Sequence, residues 1–229
     1  MKIPIVVAVL KTDRAVKEDA SKLRGYIGNK FPDEVLLHHH IGKETLYTYP
    51  RVQYKIIEGT PIIVGIMEGA SVVKKIMDDI EELILEKKRY EVKSIQINQL
   101  KEEFGKSRED IEYKFLTPWI ALNQKNYEKY RKIEGWKERK KLLYGILIGN
   151  ILSMCKGLGY TVIGKIHAHS FLQPCMIKYK AIPHTGFTGE FKINFILPDL
   201  IGIGKGVSQG FGTIKKMEEK NDRKKPYFW

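Results

Sequence analysis

A β-α-β-β-α-β succession of patterned segments over residues 1–100, a second strand-helix-strands succession over 108–218 and a charged break between them predict an α+β protein. Its architecture is two tandem ferredoxin-like (RRM-like) domains. The length agrees, because 229 residues can bury two small cores of about 100 residues each.

Residues 3–10 are β-branched and apolar and read as a buried first strand. The opening superficially resembles a secretory signal, but no small-residue cleavage site follows and Asp13 and Arg14 interrupt the apolar run. Val16, Ala20, Leu23, Tyr26 and Ile27 then stand at helical spacing. Segments 35–40 and 51–58 alternate in character around a turn-rich stretch holding Gly42 and Pro50, which predicts paired strands, with a further strand at 61–67. Val72, Val73, Ile76, Ile80, Leu83 and Ile84 recur every three or four residues, predicting one amphipathic helix as far as Ile84. A strand at 91–98 completes the first domain, and the charged segment 101–110 reads as a linker.

The second domain is predicted as a strand at 111–121, a helix at 135–158 and strands at 160–172, 175–182 and 188–197. The halves show no plain repeat, so its ferredoxin-like assignment rests on element order. Residues 219–229 form a basic, aromatic tail, for which disorder or docking on the body or a second subunit are open alternatives.

Forty Lys and Arg against 27 Asp and Glu give a net charge of +13 and a pI near 9.5, a surface that attracts polyanions. Nucleic acid is the simplest partner, against a plain solvated surface. No membrane partner is expected, because the basic residues are spread along the chain and no apolar run reaches the roughly 18 residues of a span. Cys155 and Cys175 alone suggest neither a disulfide framework nor a structural zinc, which fits a reduced cytoplasm.

The most specific feature is Gly202, Gly204, Gly206, Gly210 and Gly212 within eleven residues, interleaved with Lys205, Ser208 and Gln209. Such a loop can bring backbone N–H groups close to a phosphate, and a mere turn would be an entropically wasteful use of five glycines. Neither a Walker-type nor a dinucleotide-binding glycine motif occurs, so a nucleotide-dependent enzyme is disfavoured and no cofactor is expected.

The G-h-G-x5-G-h-G spacing, met by Gly202, Gly204, Gly210 and Gly212 with Ile203 and Phe211 as the hydrophobic places, resembles the signature loop of the CRISPR repeat-associated RAMP proteins. Within them the chain resembles the repeat-cleaving endoribonucleases of the Cas-six family, its b subtype in particular. The stretch from Leu36 to His40 and that from Tyr47 to Lys55 support this. The resemblance implies single-stranded CRISPR repeat RNA as partner and a metal-independent cut by the substrate's own 2′-hydroxyl. The products would carry a 2′,3′-cyclic phosphate and a 5′-hydroxyl, yielding guide RNAs.

That chemistry needs a base for the 2′-OH, an acid for the leaving oxygen and a cation for the phosphoryl oxygens. On a strand His38 and His40 project to one face and His39 to the other, so the first two are the candidate acid and base, His40 foremost. Lys30 is the candidate cation, and Tyr47 the proton donor or orienter, with Tyr49 as its substitute. His167 and His169 form a second H-x-H, for which RNA contact is preferred to a metal site.

RNA-binding candidates are Gly204, Lys205, Gly206, Ser208, Gln209 and Gly210 in the loop, with Arg51, Lys55, Lys165, His167, Lys178 and Lys180 beside aromatic residues. Tyr127, Tyr130, Trp136 and Tyr144 read as core or self-association surface. A homodimer through the apolar helix 142–152 and core packing of that helix explain its pattern equally. A non-catalytic RNA-binding subunit of a CRISPR effector complex is the alternative function, and a structural packaging protein a third.

Overall fold

The computed structural model describes residues 1–38, 40–41, 44–45 and 49–217. Two compact units result. The first comprises Lys2–Glu103 with Val207–Gly210, and the second Met1, Phe104–Gly206 and Phe211–Met217.

In the first unit the chain runs β1 (Lys2–Thr12), α1 (Ala20–Lys30), α2 (Val35–His38), β2 (His40–Ile41), β3 (Glu44–Thr45), β4 (Val52–Ile57), β5 (Thr60–Ile66), α3 (Glu68–Ile76), β6 (Glu82–Leu85) and β7 (Lys88–Glu103). The main sheet is antiparallel in the order β4-β5-β1-β7-β6. Its first four strands have the ferredoxin-like arrangement, and β6 is an added edge. β1 is central, so its run from Ile3 to Leu10 is apolar nearly throughout. Its Val6, Ala8 and Leu10 share a core with Leu23 and Ile27 of α1 and Val73 and Ile76 of α3.

Two expectations fail here. The helix expected to reach Ile84 stops at Ile76, where a 3-10 turn at Met77–Asp79 and an extended Ile80 follow. Leu83 and Leu85 are buried while Ile84 between them is exposed, a period of two that belongs to β6. Glu86 and Lys87, both at positive φ, make the tight turn into β7. Residues 35–38, expected as strand, form the single helical turn α2 instead. Leu37 is buried in the core, and tertiary donors meet the turn's last carbonyls: Tyr54 Oη to Leu37 O at 3.4 Å and Arg24 Nη2 to His38 O at 2.5 Å.

The second unit contains β8 (Gly105–Trp119), α4 (Gln124–Lys132), α5 (Trp136–Gly157), β9 (Ala168–Tyr179), β10 (Ile182–Ile196) and β11 (Ile214–Lys216), in the sheet order β11-β8-β10-β9. This is again the ferredoxin-like order. Between β10 and β11 the chain has, in place of a helix, the glycine-rich segment, whose 3-10 turn at Val207–Gln209 belongs to the first unit. The expected linker is extended backbone: β7 continues to Glu103, Phe104 is buried and β8 starts at once. The strands expected at 160–172 and 175–182 are one strand, β9, beginning at Ala168. Pro174 does not break it because β9 is a sheet edge.

This unit's core is an aromatic ladder: Phe115 lies 5.0 Å from Phe191 and 5.6 Å from Trp119, and Tyr113 lies 5.4 Å from Phe191 between ring centroids. Leu143, Leu147, Ile151 and Met154 of α5 are buried at helical spacing. Both cysteines are free, and burial pushes the Cys155 thiol up to about 11. Among the described residues no helix is long and apolar enough to cross a membrane.

Candidate functional site

The glycine-rich loop is a packed turn whose glycines are demanded by close approach. At Gly204 φ is +90°, and a Cβ would stand 2.5 Å from Nε1 of the buried Trp119, an indole that donates to Asn150 Oδ1 at 3.1 Å. At Gly212 φ is +63°, and a Cβ would stand 2.0 Å from Ile203 O. Gly210 is buried against Ala20 and the Tyr54 carbonyl. The N–H groups of Lys205, Gly210, Phe211 and Gly212 donate to Ile120 O, Val207 O, Gly206 O and Pro118 O.

Those four amides, expected to cradle a phosphate, are therefore spent on the protein's own carbonyls. The loop's outward chemistry is the exposed Lys205 ammonium and the half-buried Ser208 and Gln209.

Two predicted contacts converge in the second unit. Lys205 Nζ stands 5.0 Å and Lys180 Nζ 5.9 Å from the ring of Tyr179, which closes β9. Lys180 reaches it from the tight β9–β10 turn, where Lys180 and Ala181 both have positive φ. Lys178 and Lys165 are exposed as well. His167 is committed elsewhere: its Nε2 lies 2.7 Å from Asp110 Oδ1, and its N–H donates to Asn194 Oδ1.

In the first unit, two expected RNA contacts are withdrawn from the surface. Lys55 is fully buried, with Nζ donating to Gln53 Oε1 at 3.1 Å, and burial pulls its pKa down to about 7. β4 is covered on both faces, which no single-strand pattern reveals. Arg51 is 14% exposed, and its Nε donates to Glu68 Oε1 at 2.5 Å, so it anchors the start of α3.

The candidate catalytic residues are only partly brought together. His38 closes α2, so its expected same-face strand relation to His40 does not hold. The His38 ring lies over Gly28 of α1, where a Cβ would stand 2.9 Å from Nδ1. Its Nε2 is buried with no hydrogen-bond partner among the described residues. Glycine at 28 makes room for the imidazole, and Arg24, one turn earlier, fixes the His38 carbonyl.

Lys30 lies about 200° around α1 from Gly28 and therefore on another side of the helix. It faces a depression lined by Asp79, Glu81, Glu82, Arg89 and Glu91. Tyr26, one turn before Lys30, donates to Glu82 O on that same side. Lys30 and His38 are thus not neighbours. The side chain of His40, and all of His39 and Tyr47, lie outside the described residues, and so does the tail at 219–229. Tyr49 is half-buried. Among the described residues no group of three or more His, Cys, Asp or Glu side chains is arranged to hold a metal ion.

A family model of the Cas6b N-terminal domain matches residues 1–103, and one of the Cas6b C-terminal domain matches 105–217. The chain belongs to the Cas6b family. A crystal structure of Cas6b is similar to it at 36% identity and a TM-score of 0.90, covering 95% of this chain and 100% of that one. A structure of a CRISPR RNA processing endoribonuclease Cas6b is 34% identical with a TM-score of 0.77, covering 94% of this chain and 100% of that one. An uncharacterized protein of Methanocaldococcus jannaschii is 44% identical over 146 residues, which are 63% of this chain and 99% of the relative. A RAMP protein at 15% identity and a TM-score of 0.58 shares the fold with this Cas6b family member. The resemblance to the b subtype of the Cas-six family is thereby met.

One feature of the second unit escaped sequence reasoning. Phe171 on β9 joins Trp136, Lys140 and Tyr144 of α5. The Trp136–Lys140–Tyr144 spacing was legible as one helix face, but Phe171 arrives only through the packing of β9 on α5.

Proposed function

We propose that the chain is an endoribonuclease that binds CRISPR precursor RNA and cuts within each repeat to release guide RNAs. The observation that carries this reading is 34% identity, over 94% of the chain, to a CRISPR RNA processing endoribonuclease. The basic surface, with Lys180 and Lys205 at the Tyr179 ring, supports RNA as the ligand.

The cut is in-line attack by the 2′-oxygen of the nucleotide 5′ to the scissile phosphate, without a metal. The 2′-O–P bond forms as the P–O5′ bond breaks, leaving a 2′,3′-cyclic phosphate and a 5′-hydroxyl. One imidazole takes the 2′ proton and a second group returns one to the 5′-oxygen, with His40 and His38 as the candidates and Tyr47 as the further donor. The Nε2 of His38, which has no hydrogen-bond partner among the described residues, supports a proton-transfer role, since a ring held on α1 with that nitrogen available has capacity for one more hydrogen bond. Lys30 takes the charge-stabilising role only if the RNA reaches the far side of α1, so Lys180 and Lys205 are better placed as general phosphate contacts.

Labelled repeat RNA incubated with the protein in EDTA tests the proposal. One cut with a cyclic-phosphate end is expected, and a 2′-deoxy substitution 5′ to the scissile phosphate blocks it. Bound but intact RNA in the unmodified reaction overturns the enzymatic reading and leaves recognition alone.

A further inference from the structure

In the second unit Trp136, Lys140 and Tyr144 follow one another every four residues along α5 and share a face. His169 and Phe171, two apart on the edge strand β9, meet that face from the sheet. Lys140 Nζ stands 4.4 Å from the Phe171 ring centroid, 5.7 Å from Tyr144 and 6.0 Å from Trp136. The Tyr144 and His169 rings are 6.0 Å apart, edge to face. Yet Phe171 is 74% and Trp136 67% exposed, so these rings sit in water around one ammonium.

An exposed aromatic cluster of this size marks a binding surface. Lys140 forms no ion pair among the described residues. A second protein copy covering the face would bury that charge unpaired, at considerable cost. A guest ammonium is excluded as well, since Lys140 already fills the space between the rings. Residues 134–141 carry Lys137, Arg139, Lys140 and Lys141 against Glu134 and Glu138, so the surroundings favour an anion. Flat faces for stacking beside a free cation for a phosphate are what an unpaired nucleotide requires.

We propose that Trp136, Lys140, Tyr144, His169 and Phe171 form a stacking platform for unpaired bases of the single-stranded RNA, separate from the residues that carry out the cut. The platform rests on the RNA-processing reading above.

The experiment uses the full chain and an uncleavable repeat RNA bearing the 2′-deoxy substitution. By fluorescence anisotropy, the W136A/F171A variant binds about tenfold or more weaker than the parent, from loss of base stacking. Lys140→Gln lowers the slope of log affinity against log salt by about 0.7, the share of one phosphate contact on a single strand. In the parent, 4-thiouridine crosslinks map to the Phe171 or Trp136 peptides.

Variants that melt normally and bind within twofold of the parent overturn the platform alone. Unchanged RNA affinity with lost self-association in sedimentation overturns it in favour of a second copy of the chain. A parent that binds no RNA overturns the functional reading and the platform with it.

Discussion

Replacing Lys55 by Met should stabilise this protein at neutral pH, although it removes a hydrogen bond. Gln53 and Lys55 lie on one face of β4, both fully buried, and the Lys55 ammonium donates to Gln53 Oε1 at 3.1 Å with no carboxylate partner among the described residues. Burial lowers the pKa from 10.5 to about 7. In the unfolded chain the amine takes up its proton near 10.5; in the fold it does so only near 7. Between these values the unfolded state holds a proton that the folded state lacks, so stability rises with pH across the window and is flat below it.

The shift sets a ceiling of about 5 kcal/mol, which relaxation around the buried group reduces to about 3 kcal/mol. Methionine keeps most of the stem's packing, and the lost hydrogen bond costs about 1 kcal/mol. Lys55→Met should therefore gain about 2 kcal/mol at pH 7 and lose most of that gain by pH 10. Urea unfolding of parent and variant at pH 7 and pH 9.5 checks this, because other lysines and tyrosines cancel in the double difference. Parallel pH profiles, or a variant less stable than the parent at pH 7, would refute the reasoning. RNA affinity should stay within twofold, and a tenfold loss would return Lys55 to the interface.

Glu18 also has a lowered pKa, but here the fold favours the charged form instead of opposing it. Hydrogen bonds from Lys88 at 2.7 Å and Tyr90 at 2.5 Å hold its buried carboxylate at about 2, so its contribution is complete above about 4.5 and is lost as the pH falls towards 2. Discounted for the exposed Lys88, this is about 2 kcal/mol, and Glu18→Gln should flatten acid unfolding between pH 5 and pH 3. Gly204→Ala meets both positive φ and the Trp119 indole, and should cost about 3 kcal/mol, read as a fall in melting temperature. The His38→Ala, His40→Ala double variant should slow repeat cleavage by at least about 100-fold while RNA affinity stays within threefold; a parent-like rate removes both imidazoles from the chemistry.

Local chemistry made much of this protein readable in its sequence. The apolar β1 and the helix that carries Val72, Val73 and Ile76 each depend on neighbours along the chain, and each is found, the helix in its first part only. Periodicity reports the environment of an element without saying what covers it, however. Ile80, Leu83 and Ile84 fitted a helical period equally well until the β6–β7 turn imposed a period of two. The alternation over 35–40 suggested a strand, but Leu37's burial and two tertiary hydrogen bonds made residues 35–38 a helical turn.

Site residues were legible as chemical types and much less as accessible groups. Net charge pointed to a polyanion because charge belongs to single residues, and the glycine spacing carried the family resemblance because it is local in the chain. Which lysines face water was decided by tertiary structure. Lys205 and Lys180 meet at Tyr179 because β9 turns back on β10 beside the loop, whereas Lys55, identical in sequence character, is sealed inside because β4 is buried on both faces. Burial is a sum over residues distant in the chain, and no local pattern contains it.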